Sequence, residues 1–186
     1  MQRIRRSRAS GLATILALAM LGLDAAAQSP SESKTGLPPN APVQTETSTL
    51  LEVGGEVAHP FSLTAAEFAK LPRQTLRAKG HDGVESQYQG VSLIEILAKA
   101  GVPTGKDLRG KALALFIVVE ASDGYRAVFA LAELDSGFTD RVILLADRRD
   151  DKPLSGQAGP LQVIVPGEKK HARWVRQAIR IKVGRA

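Results

Sequence analysis

The chain has 186 residues, 24% of them charged and 44% hydrophobic, with a formal charge of +6 and no cysteine. This length suits one ordinary domain. The missing cysteine excludes disulfides, thiolate nucleophiles, iron–sulfur clusters and cysteine-ligated metals.

The start of the chain reads as an export signal. Arg3, Arg5, Arg6 and Arg8 form a basic region, Gly11 to Leu23 is an apolar run, and Ala25-Ala26-Ala27 is an A-x-A cleavage site. The run is short for a bilayer-spanning helix, so cleavage is expected over an uncleaved anchor. Arg5-Arg6 raises the twin-arginine route, but Ser7-Arg8-Ala9 is not the apolar continuation that route favours, so general export is expected. Residues 1–27 hold four arginines and one aspartate, so their loss takes away half of the positive excess. What remains is mildly basic and gives no argument for nucleic acid. Residues 28–49 are rich in Pro, Ser, Thr, Asn and Gln and read as a linker. The folded domain is expected over 50–183, periplasmic or secreted, with no membrane span once the signal is removed.

Leu50 to Val57 reads as a short strand with Gly54-Gly55 near its end. Thr64-Ala65-Ala66-Glu67 is a capping box, opening a helix from Ala65 to Leu71 that Pro72 stops. Gln74 to Lys79 predicts a strand, His81-Asp82-Gly83 a turn and Ser86 to Gln89 a returning strand. Ser92-Leu93-Ile94-Glu95 is a second capping box, opening a helix from Leu93 to Ala100 that ends at Gly101. Leu113 to Ala121 is a continuous apolar run and predicts a central strand buried on both faces. Asp123-Gly124 then turns the chain into a strand over Tyr125 to Ala130, and Leu131 to Leu134 reads as a helical turn. Val142 to Ala146 and Leu161 to Val165 predict buried strands. Ala178 to Val183 alternates and predicts a strand with one wet face. The fold class that follows is α+β, a mixed sheet with short helices.

No Rossmann or P-loop glycine pattern, no H-E-x-x-H and no G-x-S-x-G elbow occurs. His59, His81 and His171 are far apart in sequence and are expected singly in loops. Lys169-Lys170-His171 is either a solvated charge run or a basic lip for an anion. Asp147 to Asp151 reads as a self-compensating charged turn.

The order of motifs resembles the sulfite-oxidase-like molybdopterin-binding domain family. Tyr88-Gln89-Gly90-Val91-Ser92-Leu93 with Ile96-Leu97 and Ala100-Gly101 is similar to its aromatic-x-Gly-Val-x-Leu stretch. Asp123-Gly124-Tyr125, Lys152-Pro153-Leu154, Gly159-Pro160-Leu161, Pro166-Gly167 and Arg173-Trp174-Val175 follow in order. The resemblance spans nearly the whole domain and implies an α+β fold around a molybdenum–pterin cofactor that supplies the redox chemistry. It also implies roles by position. Tyr125 would donate to a bound oxyanion, Arg173 would meet a phosphate, and the backbone beside the Arg173-Trp174 pair would hold the pterin ring. His81 would line the pocket mouth where the family keeps its molybdenum-ligating cysteine. The structural alternatives are a hairpin aromatic for Tyr125, a core anchor for Trp174 and a turn residue for His81.

Two departures weigh on this reading. The segment Lys79 to Ser86 has no cysteine, and a thiolate is a specific ligand. Gln162 stands where the family usually has an arginine suited to an oxyanion. Two functions are therefore carried forward. One is a molybdopterin-binding oxidoreductase or pterin-binding protein. The other is a non-catalytic module without that cofactor, for a small anionic ligand or a periplasmic protein partner.

Overall fold

The computed structural model describes residues 48–154 and 156–186. The signal peptide and nearly all of the linker lie outside them. Among the described residues, no helix is long and apolar enough to cross a membrane.

Among the described residues, ten strands and two short α-helices follow in order. β1 (Thr49–Gly55) and β2 (Phe61–Thr64) lead into α1 (Ala65–Ala69); β3 (Gln74–Lys79) and β4 (Glu85–Ser92) lead into α2 (Leu93–Lys99). Then come β5 (Leu115–Ala121), β6 (Arg126–Ala130), β7 (Leu144–Arg149), β8 (Lys152–Pro153), β9 (Gln162–Ile164) and β10 (Ala178–Arg185). Single turns of 3₁₀ helix fill several connections, including Leu131–Glu133 and His171–Arg173.

The fold is α+β with short helices, as expected, and the strands form two sheets. The first has the order β2-β1-β10-β5-β6 and is mixed, because β1 and β10 run parallel. The second has the order β3-β4-β7-β8, with β9 also on β7, and is antiparallel throughout. Leu51, Val53, Ile117, Val119, Phe129, Ile181 and Val183 of the first sheet join α2 and the inward residues of the second in one core. Sheet membership depends on pairings between distant segments, which local pattern does not carry.

The first capping box forms as expected. The Thr64 backbone N–H donates to Glu67 Oε2 (2.8 Å), and the Glu67 N–H donates to Thr64 Oγ1 (3.3 Å). The second does not form. Ser92 is also the last residue of β4, paired with Leu144, and the Leu93 N–H donates to the Ile143 carbonyl. Its hydroxyl points inward and is left buried without a partner. α2 still ends at Gly101, whose φ of +78° suits glycine.

The apolar run at β5 is also corrected. A 3₁₀ turn occupies Gly110–Ala114, and β5 is buried on one face only, with Phe116, Val118 and Glu120 partly open to solvent. β2 carries no clear sequence signal and was not expected. The charged run at Asp147 to Asp151 is the end of β7 plus a turn, and its charges also reach other elements: Arg73 pairs with Asp147 and Arg149 with Asp82.

Gly90 shows why the Tyr-x-Gly motif needs its glycine. β4 shifts register against β7 between Gln89 and Gly90, and a Cβ on Gly90 would lie 2.6 Å from Ala146 Cα. Backbone on backbone cannot yield. Gly90→Ala is expected to cost about 3 kcal/mol or more, read as a lowered urea midpoint. Gly54→Ala, where a Cβ meets nothing within 4 Å, is expected to stay within about 0.5 kcal/mol of the natural protein.

Candidate functional site

A pocket of about 510 Å³ opens between the tip of the β3–β4 hairpin, β9 and the 3₁₀ turn at His171–Arg173. His81 comes from the hairpin tip, Tyr88 from β4 and Gln162 from β9. Lys169, Lys170, His171, Trp174 and Arg176 come from the loop between β9 and β10.

Trp174 is the anchor. It is 7% exposed, and its indole N–H donates to the Val165 carbonyl at 3.0 Å. The His171 ring stands edge-on to it with centroids 4.5 Å apart, and the Tyr88 ring does so at 5.7 Å. His171 Nε2–H donates to the Lys79 carbonyl at 2.8 Å, which tethers the loop to the hairpin. That bond places the proton of neutral His171 on Nε2 and leaves Nδ1 as the acceptor. His81 closes the group, edge-on to His171 at 5.9 Å. Two histidines expected singly in loops thus meet across 90 residues of sequence, while His59 lies apart, beside Gly101.

The lining is cationic. Lys169, Lys170 and Arg176 line it beside His81 and His171, and among the described residues no carboxylate does. The neighbouring acids are engaged elsewhere. Asp82 Oδ2 accepts from Arg149 Nη2 at 2.7 Å, and Glu168 and Glu133 accept from Arg173. Among the described residues, Lys169, Lys170 and Arg176 form no salt bridge. Such a concavity favours an anion.

The four residues singled out from sequence separate into two pairs. His81 and Trp174 line the pocket. Tyr125 and Arg173 do not. Tyr125 is 49% exposed, and its hydroxyl donates to the Ala172 carbonyl at 2.6 Å, bracing the 3₁₀ turn from outside. Arg173 Nε donates to Glu168 at 2.8 Å and its Nη1 to Glu133 at 3.0 Å, with the guanidinium 4.7 Å from the Phe129 ring centre. Burial alone would lower its pKa, but the bonds to Glu168 and Glu133 outweigh that and hold it above its ordinary value. Tyr88, Arg176 and His171 were not singled out as one site. The Lys-Lys-His run was the available signal.

The fold and this geometry can now be set beside known proteins. The family described as oxidoreductase molybdopterin binding domain matches residues 39–185. The chain belongs to that family. Among solved structures it is similar to the sulfane dehydrogenase SoxCD from Paracoccus pantotrophus, with 22% identity and a TM-score of 0.57. The match covers 72% of this chain and only 37% of that one, and at this identity it speaks to fold alone. No curated protein sequence matches. The family assignment and the shared fold agree with the resemblance read from the motifs.

Two predictions follow from the side chains around the pocket. Arg173→Ala is expected to lower stability by about 1–2 kcal/mol, since it strands Glu168 and Glu133 at a partly exposed site, read as a lowered urea midpoint. The bond from Arg149 holds the Asp82 carboxyl below its ordinary value. Its contribution is therefore complete above about pH 4 and lost as pH falls through the lower folded value. The protection of the Gly83 and Val84 amides, corrected for intrinsic exchange, should fall below that point, and Asp82→Asn should remove that pH dependence of protection.

Proposed function

We propose that this chain is an exported member of the family that binds a small anion in the His81–His171–Trp174 pocket and runs no molybdenum chemistry of the thiolate-ligated kind. The observation that carries this reading is the lining itself: two lysines, an arginine and two histidines converge on one concavity that, among the described residues, no carboxylate lines. Charge-assisted bonds from such groups suit a phosphate or another oxyanion. A phosphorylated pterin is the first ligand to consider, given the family.

The fit to the family's cofactor is divided. The cationic pocket suits the anionic organic part. The metal part finds no match: there is no cysteine, and among the described residues no group of three His, Cys, Asp or Glu side chains is placed to hold a metal. His81 offers a single nitrogen, which is not the electronic equivalent of a thiolate. Gln162 lines the pocket and brings an amide where the resemblance expects a guanidinium, while Arg176, its partner in an isolated β-bridge, supplies a charge from the next segment.

The second reading, a molybdopterin-dependent oxidoreductase, rests on the family match over 39–185. Export is supported by the basic region, apolar run and A-x-A site at the start of the chain. A periplasmic protein partner stays within the same proposal as an alternative occupant.

The test is molybdenum and pterin content of the protein purified from the periplasm of a host that makes the cofactor. We expect no stoichiometric molybdenum, with phosphate or pterin phosphate binding measurable by calorimetry. Lys170→Ala with Arg176→Ala should weaken that binding about tenfold or more, two charge-assisted bonds being worth at least 1.4 kcal/mol together. Near-stoichiometric molybdenum would overturn the proposal in favour of the oxidoreductase.

A further inference from the structure

The first sheet has a second face, turned away from the core, and nothing among the described residues covers it. It forms a shallow groove of about 980 Å³. The strand registers lay its side chains out in rows. One row is Glu52, Arg180, Glu120, Arg126, on β1, β10, β5 and β6. It is an ion-pair ladder of alternating sign. Arg180 reaches Glu52 at 2.8 Å and Glu120 at 3.6 Å, and Arg126 reaches Glu120 at 3.1 Å. The next row, two residues along each strand, is Gly54, Lys182, Val118, Val128. Val128 is 55% exposed, an open apolar residue in a strand whose neighbour Phe129 is fully buried.

We infer that this face is a self-association surface, and that its occupant is a second copy of this chain related by a two-fold axis running close to the strand direction, between β10 and β5. The charge order selects the axis. Rotation about it reverses the ladder, so Glu52 of one copy meets Arg126 of the other and Arg180 meets Glu120. A two-fold along the row would instead oppose like charges. Isologous contacts need a patch complementary to itself, and an alternating row of four charges is so under one of these rotations only.

The second row agrees independently. The same rotation sets Val128 of one copy over Gly54 of the other, where a Cβ would meet nothing within 4 Å. The open valine faces an open recess. Lys182 falls opposite Val118, along which its aliphatic stem can lie. Facing sheets pack about 10 Å apart, which these side chains span. Five strands make a face only about 20 Å across, so the contact is smaller than a standard interface and the dimer is weak and salt-sensitive. This inference does not depend on what the pocket on the second sheet binds.

Sedimentation velocity on the exported protein decides it. At about 200 µM and low salt we expect a dimer that dissociates on dilution and in about 0.5 M salt, as for a micromolar ion-pair contact. Glu52→Arg and Arg126→Glu each place like charges across the axis and should be monomeric. Mixed in equal amounts, they should form a dimer again, because the two reversals face each other. Gly54→Leu leaves the charges alone, fills the recess and should also be monomeric while keeping the natural circular dichroism. A wild-type monomer under all these conditions would overturn the inference. So would a dimer that survives Gly54→Leu, or charge variants that stay folded yet do not re-associate on mixing.

Discussion

The bond from the Trp174 indole to the Val165 carbonyl fixes the candidate site. It is made inside the core, where an unpaired indole N–H would be costly. It pins the loop between β9 and β10 against the second sheet at one point. From that point His171 reaches the hairpin at Lys79, and the hairpin carries His81. Tyr88 supports the indole from below, and Tyr125 and Arg173 hold the 3₁₀ turn from its outer side. The pocket is therefore a gap between a core-anchored loop and a hairpin tip, with its cations carried by the loop.

The same arrangement sorts charge. The acids near the pocket are each bound to an arginine that points elsewhere: Asp82 to Arg149, Glu168 and Glu133 to Arg173. Those pairs are partly exposed and add little to stability one by one. Their effect is on the field, since they keep negative charge from cancelling Lys169, Lys170 and Arg176. The family fold does not by itself set the ligand chemistry, because function resides in a site rather than in a fold.

Much of the fold was legible where a local rule governs it. The capping box at Thr64, the stop at Gly101, the turns at His81-Asp82-Gly83 and Asp123-Gly124, and β3 at Gln74–Lys79 all depend on neighbours within a few residues. The Ser92 box failed because the residue was claimed by a strand pairing with Leu144. β5 was misread as doubly buried because an apolar run cannot say whether a second layer exists to cover it. The site was half legible. His81 and Trp174 came from motif position, and the Lys-Lys-His run was visible as a basic lip. The meeting of His81 with His171, and the bond from Arg173 to Glu133, are tertiary events with no local trace.

The place of β10 carries a consequence for how the molecule comes into being. β10, made long after β1 and β5, is the central member of its sheet, flanked by β1 on one side and β5 on the other. Until residues 178–185 arrive, β1 and β5 have no common neighbour and the first sheet exists only as two unjoined hairpins. A ribosome that still holds those residues holds a chain unable to close its first sheet. Synthesis of β10 and closure of the first sheet are thus coupled in time.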